Sequence, residues 1–214
     1  MTPVSSERPP QQARSRRTHV RLLMATLKML SEHGLDGTTI PRIAREAGVS
    51  PATVYRRFQD KQALLRAACL HFLDMGNQAN HLHLQRKLGK GTLESSAREM
   101  VGLMFTQNRM QPKLMQAMEK FLGDDDDDAF VQEALAIRDD NLDQVIQAML
   151  AHRDEITHSD PEQAVRIATL QAATSIGILC FEPRSPWRTV HSLQDDVVAD
   201  ELARAYVAYL RRGD

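Results

Sequence analysis

The stretch IPRIAREAGVSPATVYRRF, residues 40–58, sets two short helical patterns back to back. Gly48 stands where the chain must turn. Ser50 offers a hydroxyl to cap a new helix, and Pro51 takes its first position, where a missing N–H costs nothing. Two helices meeting this tightly need a small residue at the contact, and Ala44 supplies it. Ile43, Ala47, Val49, Val54 and Phe58 lock the pair onto a supporting helix. Ala52, Thr53, Tyr55, Arg56 and Arg57 then remain outward on the second helix. A hairpin that only fills a core would rarely expose a Tyr between a Thr and two Arg on so short a helix. The pattern fits a helix-turn-helix whose second helix presents its side chains to base edges in the DNA major groove.

Charge points the same way. The chain of 214 residues has a net charge of -1, but residues 1–66 hold 12 Lys and Arg against 5 Asp and Glu, while the remainder holds 15 against 23. A basic first third on an acidic remainder is the footprint of a nucleic-acid-binding head on a non-binding body. Hydrophobic residues make up 42%, enough for a substantial core. No apolar run reads as the roughly 20 residues that span a bilayer, so no membrane partner is expected. MTPVSSERPPQQARSRR lacks an apolar segment after its charges and does not read as a signal peptide. Cys69 and Cys180 lie far apart and outside any CxxC pattern. They read as buried free thiols in a reducing cytoplasm.

Along the chain, residues 1–14 read as a flexible basic arm. Val20, Leu23, Met24, Leu27 and Leu30 recur at helical spacing, predicting a first helix from about Arg16 to His33, ended by Gly34 and Gly37. Thr38 or Thr39 caps a second helix running through Ala47. Asp60 caps a fourth, from Lys61 to about Gln78. Further helices are predicted over 94–106, 111–122, 129–151, 161–181 and 196–212, with loops at 83–92 and 182–194. Strand-type alternation is absent. The expected fold is all-α, with a helix-turn-helix domain over 15–62 and a larger helical domain over 63–214.

The run TTIPRIAREAGVSPATVYRRFQDKQALL resembles the DNA-binding signature of the TetR family of transcriptional regulators, T-x-x-x-I-A-x-x-A-G-V-S-x-x-T-x-Y-x-x-F-x-x-K-x-x-L. Here Thr39, Ile43, Ala44, Ala47, Gly48, Val49, Ser50, Thr53, Tyr55, Phe58, Lys61 and Leu64 meet it. The resemblance covers about residues 16–70. It implies a regulator, most simply a repressor, and no enzyme or cofactor. Thr39, Tyr55 and Lys61 would touch phosphates, with Thr38, Arg42 and Ser50 beside them. Ala52 and Thr53 would lie against bases. Arg56 and Arg57 depart from the family's usual aromatic or His; one would read guanine and the other hold phosphate. Arg14, Arg16 and Arg17 either reach the DNA or stay solvated.

The resemblance also implies a homodimer on a palindromic operator, joined through the helices of PEQAVRIATLQAATSIGILCF and DDVVADELARAYVAYLRR, and a small-molecule effector bound in the body. Met104, Phe105, Met118, Phe121, Leu142, Ile146 and Met149 are the candidate pocket for a hydrophobic or aromatic ligand. Met at helical spacing serves plain core equally well. A ligand-independent regulator or an activator is the alternative. A remoter one is an all-α Mg²⁺-dependent enzyme using Asp124–Asp128, but a second acidic motif at paired-metal spacing is missing. The other reading of these Asp is a solvated loop that feeds acid to the next helix's N-terminus. His81 and His83 diverge on a helix, His71 and Asp74 read as a surface pair, and no Ser-His-Asp or Cys-His arrangement can be argued from spacing.

Overall fold

A computed structural model describes residues 11–87, 90–181 and 192–212. Every long element among the described residues is a helix. We number them α1 (Gln11–Gly37), α2 (Ile40–Glu46), α3 (Pro51–Tyr55), α4 (Lys61–Lys87), α5 (Leu93–Met110), α6 (Pro112–Asp124), α7 (Asp128–Leu150), α8 (Pro161–Phe181) and α9 (Asp195–Leu210). The chain divides into two compact units after Phe72. That division falls later than the boundary drawn from the motif, because Leu64, Leu65, Ala68 and Cys69 on the first turns of α4 are buried.

In the first unit the breaks come from the residues that signal them. Gly34 has φ 66° and ψ -171°, a region open essentially to glycine, and it ends the regular part of α1. Gly48 has φ 62° and makes the turn between α2 and α3. The Ser50 hydroxyl accepts from the Thr53 N–H at 3.3 Å, and Pro51 follows it. Asp60 Oδ1 accepts from the Ala63 N–H at 2.8 Å, capping α4. Thr39 occupies the position before α2, but its side chain makes no capping bond. Leu22, Leu30, Ile43 and Val54 are fully closed off, with Ala44 at the crossing of α1–α3. Each such aliphatic side chain contributes about 1.5–3 kcal/mol by leaving water.

Three expectations are corrected, and a fourth lies largely outside the described residues. α1 begins at Gln11, so residues 11–14 of the expected arm are helical; residues 1–10 lie outside the described residues. Val20 and Met24 are exposed, and the buried face of α1 instead runs through Leu22, Leu23, Thr26, Leu27 and Leu30. α4 continues past Gln78 to Lys87, into the predicted loop at 83–92. Of the predicted loop at 182–194, residues 182–191 lie outside the described residues.

The second unit is built on α5. Leu93, Ala97, Met100, Val101 and Phe105 recur on one face and pack with Ile146 and Met149 of α7, Ala168, Ala172 and Ile176 of α8, and Val198, Tyr206 and Leu210 of α9. α5 runs in close approach to both α8 and α9. Polar groups inside this core are paired. The Thr169 and Tyr206 hydroxyls lie 3.1 Å apart, and burial pushes the Tyr206 phenol up to about 12. At the end of the core, Arg211 holds the Glu94 and Glu155 carboxylates together. Cys69 and Cys180 are both free and buried.

α8 is also long and apolar enough, by length and composition, to cross a membrane, which the sequence reading did not expect. Its buried face serves this core, and Arg166 on its outer side pairs with Asp143 and Glu162. A helix that buries one face in a core and packs against neighbours has this composition for that reason.

Candidate nucleic-acid interface

α3 is a short helix held from beneath and free above. Val54 is fully buried and Phe58 nearly so, and the Phe58 ring stacks on His19 of α1 with centroids 5.3 Å apart. Burial first, then the neighbouring Arg57 and His71 charges, hold His19 below the usual imidazole pKa. Lys28 of α1 pairs with Glu46 at 2.7 Å and pins the end of α2. With both helices fixed, the outer face of α3 presents Pro51, Ala52, Tyr55 and Arg56 to solvent, Tyr55 at 57% exposure.

The ten candidate DNA contacts separate under this geometry. Thr39, Arg42, Ser50, Ala52, Tyr55 and Arg56 are exposed. Thr53 is half-buried and lies under Arg56, whose Nη2 donates to its Oγ1 at 3.2 Å. Arg57 is also half-buried, and its Nη1 donates to Ser15 Oγ of α1 at 3.1 Å. Lys61 donates to the Leu35 carbonyl at 3.3 Å, and Arg42 to the Gly37 carbonyl at 2.9 Å, so both cations lie against the turn between α1 and α2. Thr38 is the correction. It is fully buried, and its hydroxyl donates to the Gly34 carbonyl at 2.6 Å, which removes it from any contact with DNA. Ser15 and His19 were missed. Their partners lie some forty residues away, and local spacing carries no signal for that.

Residues 22–68 match the family model for bacterial regulatory proteins of the tetR family. These residues carry a TetR-family DNA-binding domain. The HTH-type transcriptional regulator BetI of Escherichia coli strain K12 is 33% identical over 103 residues. Those residues are 47% of this chain and 51% of BetI, so the chain spans about half the length of the curated relatives it matches. A TetR-family regulator from Mesorhizobium loti shares the fold with TM-score 0.62 and 20% identity, over 91% of this chain and 97% of that one. FadR of Bacillus subtilis, solved in complex with stearoyl-CoA, does so with TM-score 0.66 and 13% identity, over 89% and 98%. At these identities the likeness to TetR-family structures shows the fold.

The body does not gather the seven candidate pocket residues around one space. Phe105, Ile146 and Met149 are closed into the core with Met104 packed against it. Met118 and Phe121 are buried on α6, where the Phe121 ring lies 5.7 Å from Phe130. Leu142 is 39% exposed and faces outward, a correction to its place in the set. An open cleft of about 520 Å³ is lined instead by Arg98, Phe105, Arg109, Met110, Asp195 and Asp200 among others, with Phe105 the one residue shared. The Met-rich stripe is therefore mostly packing, which helical spacing alone could not distinguish from a pocket.

The acidic run is partly absorbed by helix capping. Asp127 accepts from the Phe130 N–H at 3.1 Å and caps α7, and Asp125 accepts from the Asp127 N–H at 2.9 Å. Among the described residues no group of His, Cys, Asp and Glu is arranged to hold a metal. One Ser–His–Glu grouping does occur. Ser96 Oγ lies 2.8 Å from His152 Nε2, and His152 Nδ1 lies 3.6 Å from Glu155. Ser96 is 2% exposed and borders neither described cleft, and this grouping ties α5 to the residues that follow α7.

Proposed function

We propose that the protein is a cytoplasmic, homodimeric, sequence-specific DNA-binding regulator of transcription, a repressor released from a palindromic operator by a small molecule. The observation that carries the proposal is the outer face of α3, where Ala52, Tyr55 and Arg56 are exposed on a helix fixed by Val54 and Phe58. Side chains on such a face reach base edges, and Thr39, Arg42, Tyr55 and Lys61 surround them with phosphate-binding groups. Dimerisation is supported by α8. Ala164, Val165, Ala168, Ala172 and Ile176 are buried on one face, while Ile167 and Leu170 stand exposed on another, Leu170 at 62%. A second copy seated there, with α9 beside it, would set two α3 helices about one DNA turn apart (~34–36 Å).

Release would be a population shift. A ligand that prefers one arrangement of the body by a few kcal/mol lowers DNA affinity by the same free energy, carried along α4, which runs unbroken across the boundary between the units. FadR was solved with an acyl-CoA, and we extend to this chain a small effector with apolar character. The closed core around Ile146 and Met149 favours the alternative, a regulator that needs no ligand. The absence of any thermal shift across a panel of apolar compounds would support that alternative, since a true effector stabilises by RT ln(1 + [L]/Kd).

Selection from a random duplex pool, followed by sequencing at two salt concentrations, tests the central reading. A palindromic consensus is expected. Salt-sensitive binding without enrichment would reduce the protein to a non-specific binder.

A further inference from the structure

The two adjacent arginines of the recognition helix do different work. Arg56 and Arg57 are indistinguishable in the sequence, yet the structure gives them different partners and different exposure. Arg56, the C-cap of α3, is exposed and stands three residues beyond Thr53, while Ser50 is the N-cap at the other end. Its Nη2 donates to Thr53 Oγ1 at 3.2 Å, and Thr53 Oγ1 lies 3.0 Å from Ser50 Oγ. A guanidinium is a donor only, so Thr53 accepts from Arg56, and either hydroxyl of the Ser50–Thr53 pair can donate to the other. Ser50 is itself fixed as the cap of α3. The row Ser50–Thr53–Arg56 therefore aims the guanidinium from a rigid base and occupies one of its five N–H donors. The remaining donors still offer the planar fork that matches guanine O6 and N7.

Arg57 is half-buried and donates to Ser15 of α1 at 3.1 Å, beside the stacked His19 and Phe58 rings. It ties the end of α3 to the supporting helix.

We infer that Arg56 is the residue that reads a G·C base pair, aligned by Thr53, and that Arg57 is a positioning residue acting through Ser15. The inference rests on the DNA-binding reading above. The test uses the full chain, the duplex consensus chosen by the wild-type protein, and all single base-pair variants of that duplex at two salt concentrations. R56A should lose about 5- to 150-fold per half-site of the consensus and lose its preference at one symmetric G·C position, the range of one bidentate contact in each copy. T53V, which removes the hydroxyl, should blunt the same position, while T53S should keep it. R57A and S15A should weaken every duplex by a common factor with an unchanged salt slope, and R57A combined with S15A should be no weaker than R57A alone.

Loss of base preference in R57A with uniform loss in R56A would overturn the assignment. So would a salt slope reduced by about one in R57A, which would make it a direct phosphate contact. Wild-type protein that selects no consensus would overturn the DNA-binding reading itself, and the assignment with it.

Discussion

Thr38 and Thr39 stand side by side, and one residue separates a buried strut from an exposed candidate contact. The Thr38 hydroxyl is spent on the Gly34 carbonyl at the break of α1. Thr38→Val keeps the shape and removes that bond, so it should cost about 1 kcal/mol in chemical denaturation. Base preference in the duplex selection should stay unchanged, and a changed preference would return Thr38 to the interface. Tyr206 gives a second test at this scale. Its folded pKa of about 12 stands above the ordinary phenol value of 10, because burial disfavours the phenolate. The unfolded chain therefore releases this proton first as pH rises. The stability it contributes is intact below about pH 10 and is lost progressively as pH climbs toward 12. Tyr206→Phe has no such proton, so the drop in stability between pH 8 and pH 11 should be smaller in the variant by about 1 kcal/mol. An equal drop in both proteins would show that the phenol is not held neutral by the fold.

At the scale of elements, what was legible in the sequence was what is decided locally. Gly48, Ser50, Pro51 and Asp60 act within three or four residues of themselves, and the starts of α3 and α4 fall where these residues put them. The far half of α4 was not legible, because its partner surface is polar. Asn77 donates to Asp140 at 2.7 Å, Asn80 to Asn141 at 3.1 Å, and His81 lies 2.9 Å from Gln144, which itself donates to Asn77 and Asp140. An apolar stripe marks a helix packed on a core, whereas this face is amide and carboxylate, and periodicity reports nothing there. α4 has no extended close backbone approach to α7, so these long side chains bridge a real separation. Gln144→Ala removes two of the bridges at once, together with the Gln144–Asp140 bond within α7. Amide exchange should quicken in α4 around residues 77–84 more than in α5, with a small change in melting temperature. Uniform exchange across the body would mean that α4 is held by something other than this ladder.

At the scale of the whole molecule, the strongest constraint is that α8 shows apolar surface on more than one face. Ala164, Val165, Ala168, Ala172 and Ile176 complete the core, and nothing among the described residues covers Leu170. A single exposed Leu is ordinary, but here Ile167 stands one turn away and α9 lies alongside with Val197 exposed. The palindromic operator we propose would give that surface a use, since two half-sites need two recognition helices at a fixed spacing. Leu170→Glu separates assembly from folding. The side chain is already largely in water, so the chain's own core loses little. A carboxylate placed in an apolar interface between two copies has no partner and strongly disfavours it. The variant should sediment as one chain of 24.1 kDa where the wild type sediments as two. Its circular dichroism should match the wild type, and its affinity for a full palindrome should fall to that for a half-site. A variant that remains dimeric and keeps full operator affinity would move the interface away from α8. A wild type that is itself monomeric would leave the exposed face without a second copy to cover it.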